Sequence, residues 1–232
     1  LWVTGVQTCA LPISNHGYIK RTPANSYKVQ NRGGKGVMGL TTKEDDFVET
    51  LFVTSTHNTI LFFTNKGRVY NLKAYEIPEG KRQAKGQMII NILDIDKDEK
   101  VTAVIPLVGN EKDSSLFMVT KKGMVKKVEL SNFENIRKIG IKAITLVEED
   151  ELIGVRICED DTDAMIITKK GQSIRFMTSS IRNTGRTSIG VRGIRLSKED
   201  EVVSTDLVKN NEYLLVVSET MEIGRASCRE RV

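Results

Sequence analysis

The chain has 232 residues, of which 39% are hydrophobic and 28% charged, a composition typical of a folded globular protein and not of a disordered one. No apolar run approaches the roughly 18 residues that a membrane helix needs, so we expect no membrane partner. Lysine and arginine total 35 against 30 acidic residues, a mild excess that on its own only hints at a polyanionic partner.

The two ends of the chain differ in character from the rest. Residues 1–14 and 222–232 resemble translated sequencing-adapter sequence, so we set both aside as non-native and expect the folded domain to span 15–221. Of the three cysteines only Cys158 then remains, and a single cysteine cannot form an internal disulfide. We therefore expect a reducing, cytoplasmic setting and a buried Cys158 without a catalytic role.

Between these ends the sequence repeats itself about every 50 residues. Each unit opens with an apolar run and a turn that ends in a glycine, followed by a basic strand and a second glycine. The first set, here called the hairpin glycines, comprises Gly17, Gly67, Gly123 and Gly171. The second set, the marker glycines, comprises Gly36, Gly86, Gly140 and Gly190. Because both sets keep the same phase, chance is a poor explanation of the repeat.

The apolar runs of the repeat indicate strands. They are LFVT, ILFFT, LFMVT and MIIT, which are β-branched or aromatic and too short for helices. The segment LFFTNKGRVYNL reads as a hairpin with Gly67 in the left-handed position. The prediction is an all-β fold of propeller-like blades, roughly four of them plus the first strand of a fifth at YLLVVSE. A solenoid is the other geometry that such a repeat permits.

Charge follows the same repeat. A basic stretch surrounds the two glycines of each unit, and an acidic turn such as TKEDD, VEEDE or SKEDE follows. If the units stack equivalently, the basic halves form one rim and the acidic turns gather elsewhere. Such a rim suits duplex DNA held by its phosphates, since the few interleaved aromatics disfavour single-strand stacking. An ordinary solvated surface of alternating charge is the alternative. The predicted rim residues are Lys20, Arg21, Lys66, Arg68, Lys81, Arg82, Lys85, Lys121, Lys122, Lys126, Lys127, Lys169, Lys170, Arg175, Arg186 and Arg192.

No arrangement for catalysis or metal binding is evident. His16 and His57 lack ligand-type partners at metal spacing, and the acidic clusters read as solvated turns. The alternating acids of residues 94–99 lack the central glycine and the distal glutamate of a calcium loop. We predict no catalytic residue, no metal site and no cofactor in this part of the protein.

The first unit carries the glycine-rich basic segment QNRGGKG at residues 30–36. It is not a nucleotide-binding P-loop, because Lys35 is followed by Gly36 and not by Ser or Thr. It resembles the gyrase A-box of the DNA gyrase A-protein family, and it follows GYIKRTP as it does in that family. The box residues carried over are Gln30, Arg32, Gly33, Gly34, Lys35 and Gly36. Asn31 departs from the basic residue usual at its position.

The resemblance covers residues 15–221 and implies a C-terminal β-pinwheel around whose basic rim duplex DNA wraps. It implies a parent type II topoisomerase of two A and two B subunits that introduces negative supercoils, with ATP and magnesium on the holoenzyme and its B subunits. The nucleophilic tyrosine and the contacts to the B subunits would belong to a missing N-terminal region. Two alternatives remain: a topoisomerase IV-type domain that bends DNA without supercoiling, and a repeat module that docks an acidic protein partner.

Overall fold

The computed structural model describes residues 6–27, 30–36, 39–40, 45–109, 113–159, 162–209, 213–217 and 223–227. Within these residues the only helices are five short 3-10 turns, so the all-β prediction is confirmed. The 3-10 turns are η1 Ala24–Ser26, η2 Ala74–Glu76, η3 Ile89–Asn91, η4 Leu130–Phe133 and η5 Thr178–Ser180. The strands are β1 Thr8–Ser14, β2 Tyr18–Ile19, β3 Thr22–Pro23, β4 Val48–Ser55, β5 Thr59–Thr64, β6 Arg68–Lys73, β7 Gln87–Met88, β8 Val101–Leu107, β9 Ser115–Thr120, β10 Met124–Glu129, β11 Ile141–Lys142, β12 Leu152–Cys158, β13 Asp163–Thr168, β14 Ser173–Met177, β15 Val191–Arg192, β16 Val202–Val208, β17 Tyr213–Val217 and β18 Ile223–Ser227.

The chain divides into two compact units. The first comprises Leu1–Lys112 with Phe133–Ala143, and the second comprises Asp113–Asn132 with Ile144–Val232. The first unit holds a five-stranded sheet, in which β1 pairs with β2, β3 and β4 and β7 joins β2, and a four-stranded sheet in the order β11-β6-β5-β8. The second unit holds the sheets β12-β9-β10-β15, β14-β13-β16 and β17-β18.

Each blade is a hairpin with one long outer strand. In the second blade β5 pairs antiparallel with β6 on one side and with β8 on the other. Gly67 has φ +72° and its N–H donates to the Thr64 carbonyl at 2.9 Å, which confirms the left-handed position predicted for it. The inner strand is the most buried part of the blade, since Ile60, Leu61, Phe62 and Phe63 are fully buried. The third and fourth blades repeat this arrangement with β9, β10 and β12, and with β13, β14 and β16.

The marker glycines Gly86, Gly140 and Gly190 lie where the chain crosses from one blade onto the sheet of the preceding blade. After them the two-residue strands β7, β11 and β15 pair with β2, β6 and β10. Gly86 has φ +84°, and a Cβ atom there would lie 2.6 Å from the Ile19 carbonyl oxygen. Gly190 has φ +93°, and its Cβ would lie 2.4 Å from the Val125 carbonyl oxygen. Only glycine fits this left-handed, close crossing, so Gly86 and Gly190 are required for the contact between blades.

Each of the two compact units has its own apolar core. The core of the first unit includes Leu11, Ile19, Phe62 and Ile77, and that of the second includes Phe117, Val125 and Ile166. Cys158 belongs to the second core and is 2% exposed, which confirms its predicted burial.

The structure differs from expectation at the N-terminal end. Residues 1–14 were set aside, yet Thr8–Ser14 form β1, the inner strand of the first blade, and pair along β4. Their side chains from Cys9 to Ser14 are buried. The reason is that a seven-residue apolar stretch directly before the hairpin can fill the inner-strand position whatever its origin. The non-native origin of these residues stays a prediction, as does that of residues 222–232, where β18 pairs with β17.

Candidate nucleic-acid interface

The box segment, residues 30–36, is closed by the side chain of Gln30. The Gln30 Nε2 atom donates to the Gly36 carbonyl at 3.1 Å, and the Gly36 N–H donates to Gln30 Oε1 at 3.0 Å. Gly36 has φ +73°, and a Cβ atom at Gly34 would lie 2.6 Å from Gln30 Oε1. The glutamine therefore ties the two ends of the segment together, Gly34 leaves room for its side chain, and Gly36 supplies the left-handed backbone at the end of the tie.

A tight turn at the centre of the box presents its two charges. The Gly34 N–H donates to the Asn31 carbonyl at 3.0 Å, and Gly33 has φ +87°. A left-handed residue at the third turn position is the signature of a type II turn, which strongly favours glycine there. Arg32 and Lys35 are exposed, and so are the other residues of the segment.

The box is one of four related segments. We define the marker loop as the seven residues that end at each marker glycine: 30–36, 80–86, 134–140 and 184–190. In the loop 80–86 the Ala84 N–H donates to the Lys81 carbonyl at 2.8 Å, the same turn position as in the box. Lys81 is exposed and Arg82 is half-buried. The Lys85 Nζ atom lies 4.0 Å from the centre of the Tyr18 ring, a cation–π contact.

Three predicted rim lysines, Lys20, Lys126 and Lys127, are buried. Lys20 and Lys126 are each 1% exposed. The Lys20 ammonium donates to the carbonyls of Lys81, at 3.0 Å, and of Ala84, at 2.8 Å, and also to that of Arg82. Burial lowers the pKa of Lys20 below its ordinary value. Neither ammonium is presented on the surface, so a direct phosphate contact does not fit these two residues.

The Lys126 ammonium occupies the same kind of site in the second unit. It donates to the carbonyls of Arg186, at 2.5 Å, and of Ser188, at 3.1 Å. Burial, to which the nearby charge of Arg186 adds, lowers the pKa of Lys126 to about 8. Its neighbour Lys127 is also buried, at 4% exposure.

The lysines of the hairpin turns lie among acidic side chains. The Lys121 and Lys169 ammonium groups pair with Glu201, at 3.0 and 3.2 Å. The hydrogen bond and charge of Glu201 raise the pKa of Lys121. The Lys122 N–H donates to the Asp150 carboxylate at 2.8 Å. The expectation that the acidic turns gather away from the basic halves is wrong for these turns.

Antiparallel pairing explains this arrangement. The inner strand of a blade ends at its hairpin turn, and the outer strand runs antiparallel to it. The outer strand therefore begins beside the hairpin turn, and the acidic turn that precedes it lies there too. In the fourth blade Asp200 accepts the N–H groups of Lys170, at 3.0 Å, and Glu201, at 2.9 Å.

Three more predicted rim residues have protein partners. Arg21 pairs with Glu79 at 3.2 Å, and Arg175 pairs with Asp163 at 2.6 Å. The Arg68 guanidinium donates to the Ile139 carbonyl at 2.5 Å. Other predicted side chains are exposed, and these are Lys66, Lys122, Lys170 and Arg192.

The sequence analysis missed two basic residues of the third marker loop. Arg137 and Lys138 are exposed there, in the marker loop that corresponds in sequence to the box. Aligning the four units on their marker glycines would have found them. The part of the chain that the structure describes contains no helix long and apolar enough to cross a membrane.

The family model described as the DNA gyrase C-terminal domain, beta-propeller, matches residues 13–55, 58–107, 114–159 and 162–209, one segment for each blade. The DNA gyrase A protein of Clostridium acetobutylicum is 50% identical over 187 residues, and that of Staphylococcus aureus strain NCTC 8325 is 46% identical over 212 residues. These alignments cover 81% and 90% of this chain but 22% and 24% of the relatives. The chain thus spans less than a quarter of the length of these relatives.

Solved structures agree with the family match. The C-terminal domain of DNA topoisomerase IV superposes with a TM-score of 0.82 at 26% identity, covering 97% of this chain and 69% of that one. A DNA gyrase A C-terminal domain superposes with a TM-score of 0.73 at 27% identity, covering 96% and 72%. The propeller-like class predicted from the repeat is confirmed. The chain belongs to the DNA gyrase C-terminal domain family of beta-propellers.

Proposed function

We propose that this chain binds duplex DNA on its marker loops and wraps it, as the C-terminal part of a gyrase A protein. The wrapped segment is passed through the enzyme in one sense, so that a holoenzyme of two A and two B subunits introduces negative supercoils. ATP and magnesium act on the holoenzyme and its B subunits, and the chain itself carries no cofactor. The whole assembly works in the bacterial cytoplasm.

The observation that carries this proposal is the preorganised box. Its turn holds Arg32 and Lys35 on an exposed loop whose shape is already set by Gln30 and three glycines. Exposed arginine and lysine on a fixed backbone can neutralise phosphates and release counterions without first paying the cost of ordering the loop. The loop 80–86 shares the turn hydrogen bond of the box and carries an exposed Lys81 and a half-buried Arg82.

Wrapping has an energetic cost that the basic residues must offset. Bending 20–30 base pairs by 40–90° costs roughly 1–6 kcal/mol. Several phosphate contacts are needed to offset it, so binding is expected to weaken steeply with salt.

The direct test is a change in DNA topology. A nicked plasmid is sealed by ligase in the presence of the full chain, the protein is removed, and the linking number is read on a chloroquine gel. A positive shift that grows with protein supports chiral wrapping. The Arg32→Ala/Lys35→Ala variant should lose the shift while it still retains DNA on a filter. Equal loss of shift and retention would count against a special role for the box.

The second candidate is a topoisomerase IV-type domain, because the C-terminal domain of that enzyme shares this fold. Such a domain bends DNA without supercoiling it. Retention of the plasmid without a linking-number shift would favour this candidate over the gyrase-type function. No retention of DNA at low salt would contradict both.

A further inference from the structure

Lys20 and Lys126 hold equivalent places in the repeat. Each lies three residues after a hairpin glycine, on β10 in the case of Lys126 and directly after β2 in the case of Lys20. Both side chains are almost fully buried, and both ammonium groups end against carbonyls of the marker loop of the next blade, 80–86 for Lys20 and 184–190 for Lys126. The same arrangement therefore occurs independently in each of the two units.

The carbonyls that these lysines bind belong to the basic residues themselves. Lys20 donates to the carbonyl of Arg82, and Lys126 donates to the carbonyl of Arg186. Both arginines stand four residues before a marker glycine, the position that Arg32 holds in the box. An ammonium that binds the carbonyl of an arginine holds the backbone of that residue in place.

The second blade has no lysine at this position, and the marker loop that stacks on it, 134–140, has no arginine four residues before its glycine. Tyr70 stands three residues after its hairpin glycine, and the residue four before Gly140 is Ile136. The Tyr70 ring lies directly under Gly140, where a Cβ atom would come within 2.6 Å of it. The Tyr70 hydroxyl donates to Glu99 at 3.2 Å. A marker loop can therefore stack on the preceding blade without a lysine. Where the lysine is present, at positions 20 and 126, the stacked loop carries an arginine four residues before its glycine.

We propose that Lys20 and Lys126 are positioning residues, which hold Arg82 and Arg186 in place for duplex DNA by binding the backbone carbonyls of their loops. Neither lysine touches a phosphate. The inference rests on the proposed DNA binding and deepens it. Lys20 and Lys126, which the sequence predicted to contact DNA directly, act instead through Arg82 and Arg186. The marker glycine of the fourth unit supports it, since a Cβ atom added at Gly190 would lie only 3.1 Å from the Lys126 Cβ.

The test is a double-mutant cycle on DNA affinity. The variants are Lys126→Met, which keeps the length of the side chain but cannot donate, Arg186→Ala, and the two combined. Affinity for a labelled duplex of about 40 base pairs is measured by fluorescence anisotropy at 0.1 M salt. Loss of one phosphate contact should weaken binding about five- to tenfold at this salt. Lys97→Met is the matched control, because it removes one exposed charge from the acidic stretch 94–99 of the other unit, outside the predicted rim.

The outcomes separate the possibilities. If Lys126 acts through Arg186, then Lys126→Met weakens binding about as much as Arg186→Ala, and the double variant is no weaker than Arg186→Ala alone. If the losses of DNA affinity in the two single variants multiply in the double variant, Lys126 contacts DNA itself and the proposal is overturned. Unchanged affinity in Lys126→Met would overturn it as well. If the parent chain itself fails to bind the duplex, the proposed function is overturned. The measurement on the parent chain alone separates this outcome from the others.

Thermal unfolding of each variant checks the fold. The pair Lys20→Met and Arg82→Ala in the first unit gives a second, independent cycle with the same expected result. If both lysine variants unfold at the assay temperature, the lysines are required for folding itself and the positioning role is wrong.

Discussion

The side-chain amide of Gln30 bonds both backbone groups of Gly36, with its Nε2 atom 3.1 Å from the carbonyl oxygen and its Oε1 atom 3.0 Å from the nitrogen. This pair closes the box on itself, so the family's glutamine is used within the loop. In the proposed DNA binding, we expect Gln30 to act through the shape that it gives to the loop carrying Arg32 and Lys35.

We therefore expect Gln30→Ala to weaken DNA wrapping although it changes no charge. Two exposed hydrogen bonds at the low end of the usual range stabilise the loop by about 1 kcal/mol, or roughly a fivefold change in the population of the closed form. The linking-number assay at subsaturating protein measures the effect. Asn25→Ala, an exposed amide outside the box, is the control and should leave the shift unchanged. An unchanged shift in Gln30→Ala would contradict the preorganised box.

The two groups of basic residues should differ in salt dependence. Arg82→Ala/Lys85→Ala should lower the slope of log K against log salt by about 2, one for each phosphate contact. Lys121→Ala/Lys169→Ala removes the same charge but should change the slope little, because both ammonium groups are paired with Glu201. Anisotropy titrations over a salt series measure both slopes. Equal reductions would show that the hairpin-turn lysines bind DNA as well.

Gly190→Ala should destabilise the second unit more than Gly171→Ala. Both glycines are left-handed, which costs a residue with a Cβ atom about 1–2 kcal/mol. Nothing lies within 4 Å of a Cβ at Gly171, whereas at Gly190 it would lie 2.4 Å from the Val125 carbonyl oxygen. Forcing that contact apart should add about 1–3 kcal/mol. Urea unfolding compares the two variants, and similar losses would argue against the close interblade crossing.

Asp200→Asn should lower stability at neutral pH and lose its effect in acid. Burial raises the pKa of Asp200, but hydrogen bonds from Thr168, Lys170 and Glu201 outweigh it and leave the pKa below its ordinary value. A carboxyl whose folded pKa is depressed stabilises the fold fully above its unfolded pKa of about 3.9. That stability is lost as the pH falls through the folded pKa.

The measurement for Asp200 is the melting temperature at pH 7, 5, 3 and 2. At pH 7 the variant should melt about 2–4 °C below the parent, and the two should converge at the lowest pH. Asp206→Asn is the control, because Asp206 pairs with Arg156 on the surface and such pairs contribute little. A difference in melting temperature that persists at pH 2 would show that Asp200 acts by packing and not by its charge.

The sequence alone determined the architecture, because the features that specify it are local. Short β-branched runs, a glycine at each hairpin turn and a second glycine in phase predict strands, turns and blades from neighbouring residues. The box was identified by the resemblance of QNRGGKG to the family's motif, which is visible in the sequence because its residues are contiguous. The role of Gln30 was not visible, because it depends on a backbone partner six residues away in a particular turn.

Tertiary structure decided which basic residues can face a ligand. Lys20 and Arg21 are adjacent in a basic run, and nothing local shows that the first ends among the carbonyls of the loop 80–86. Nor does the charge pattern show that Lys121 meets Glu201, since these residues are 80 positions apart, one in the hairpin turn of the third blade and the other before the outer strand of the fourth. Whether a lysine's charge is available for DNA depends on carbonyls and carboxylates supplied from distant parts of the chain, and only folding brings these together.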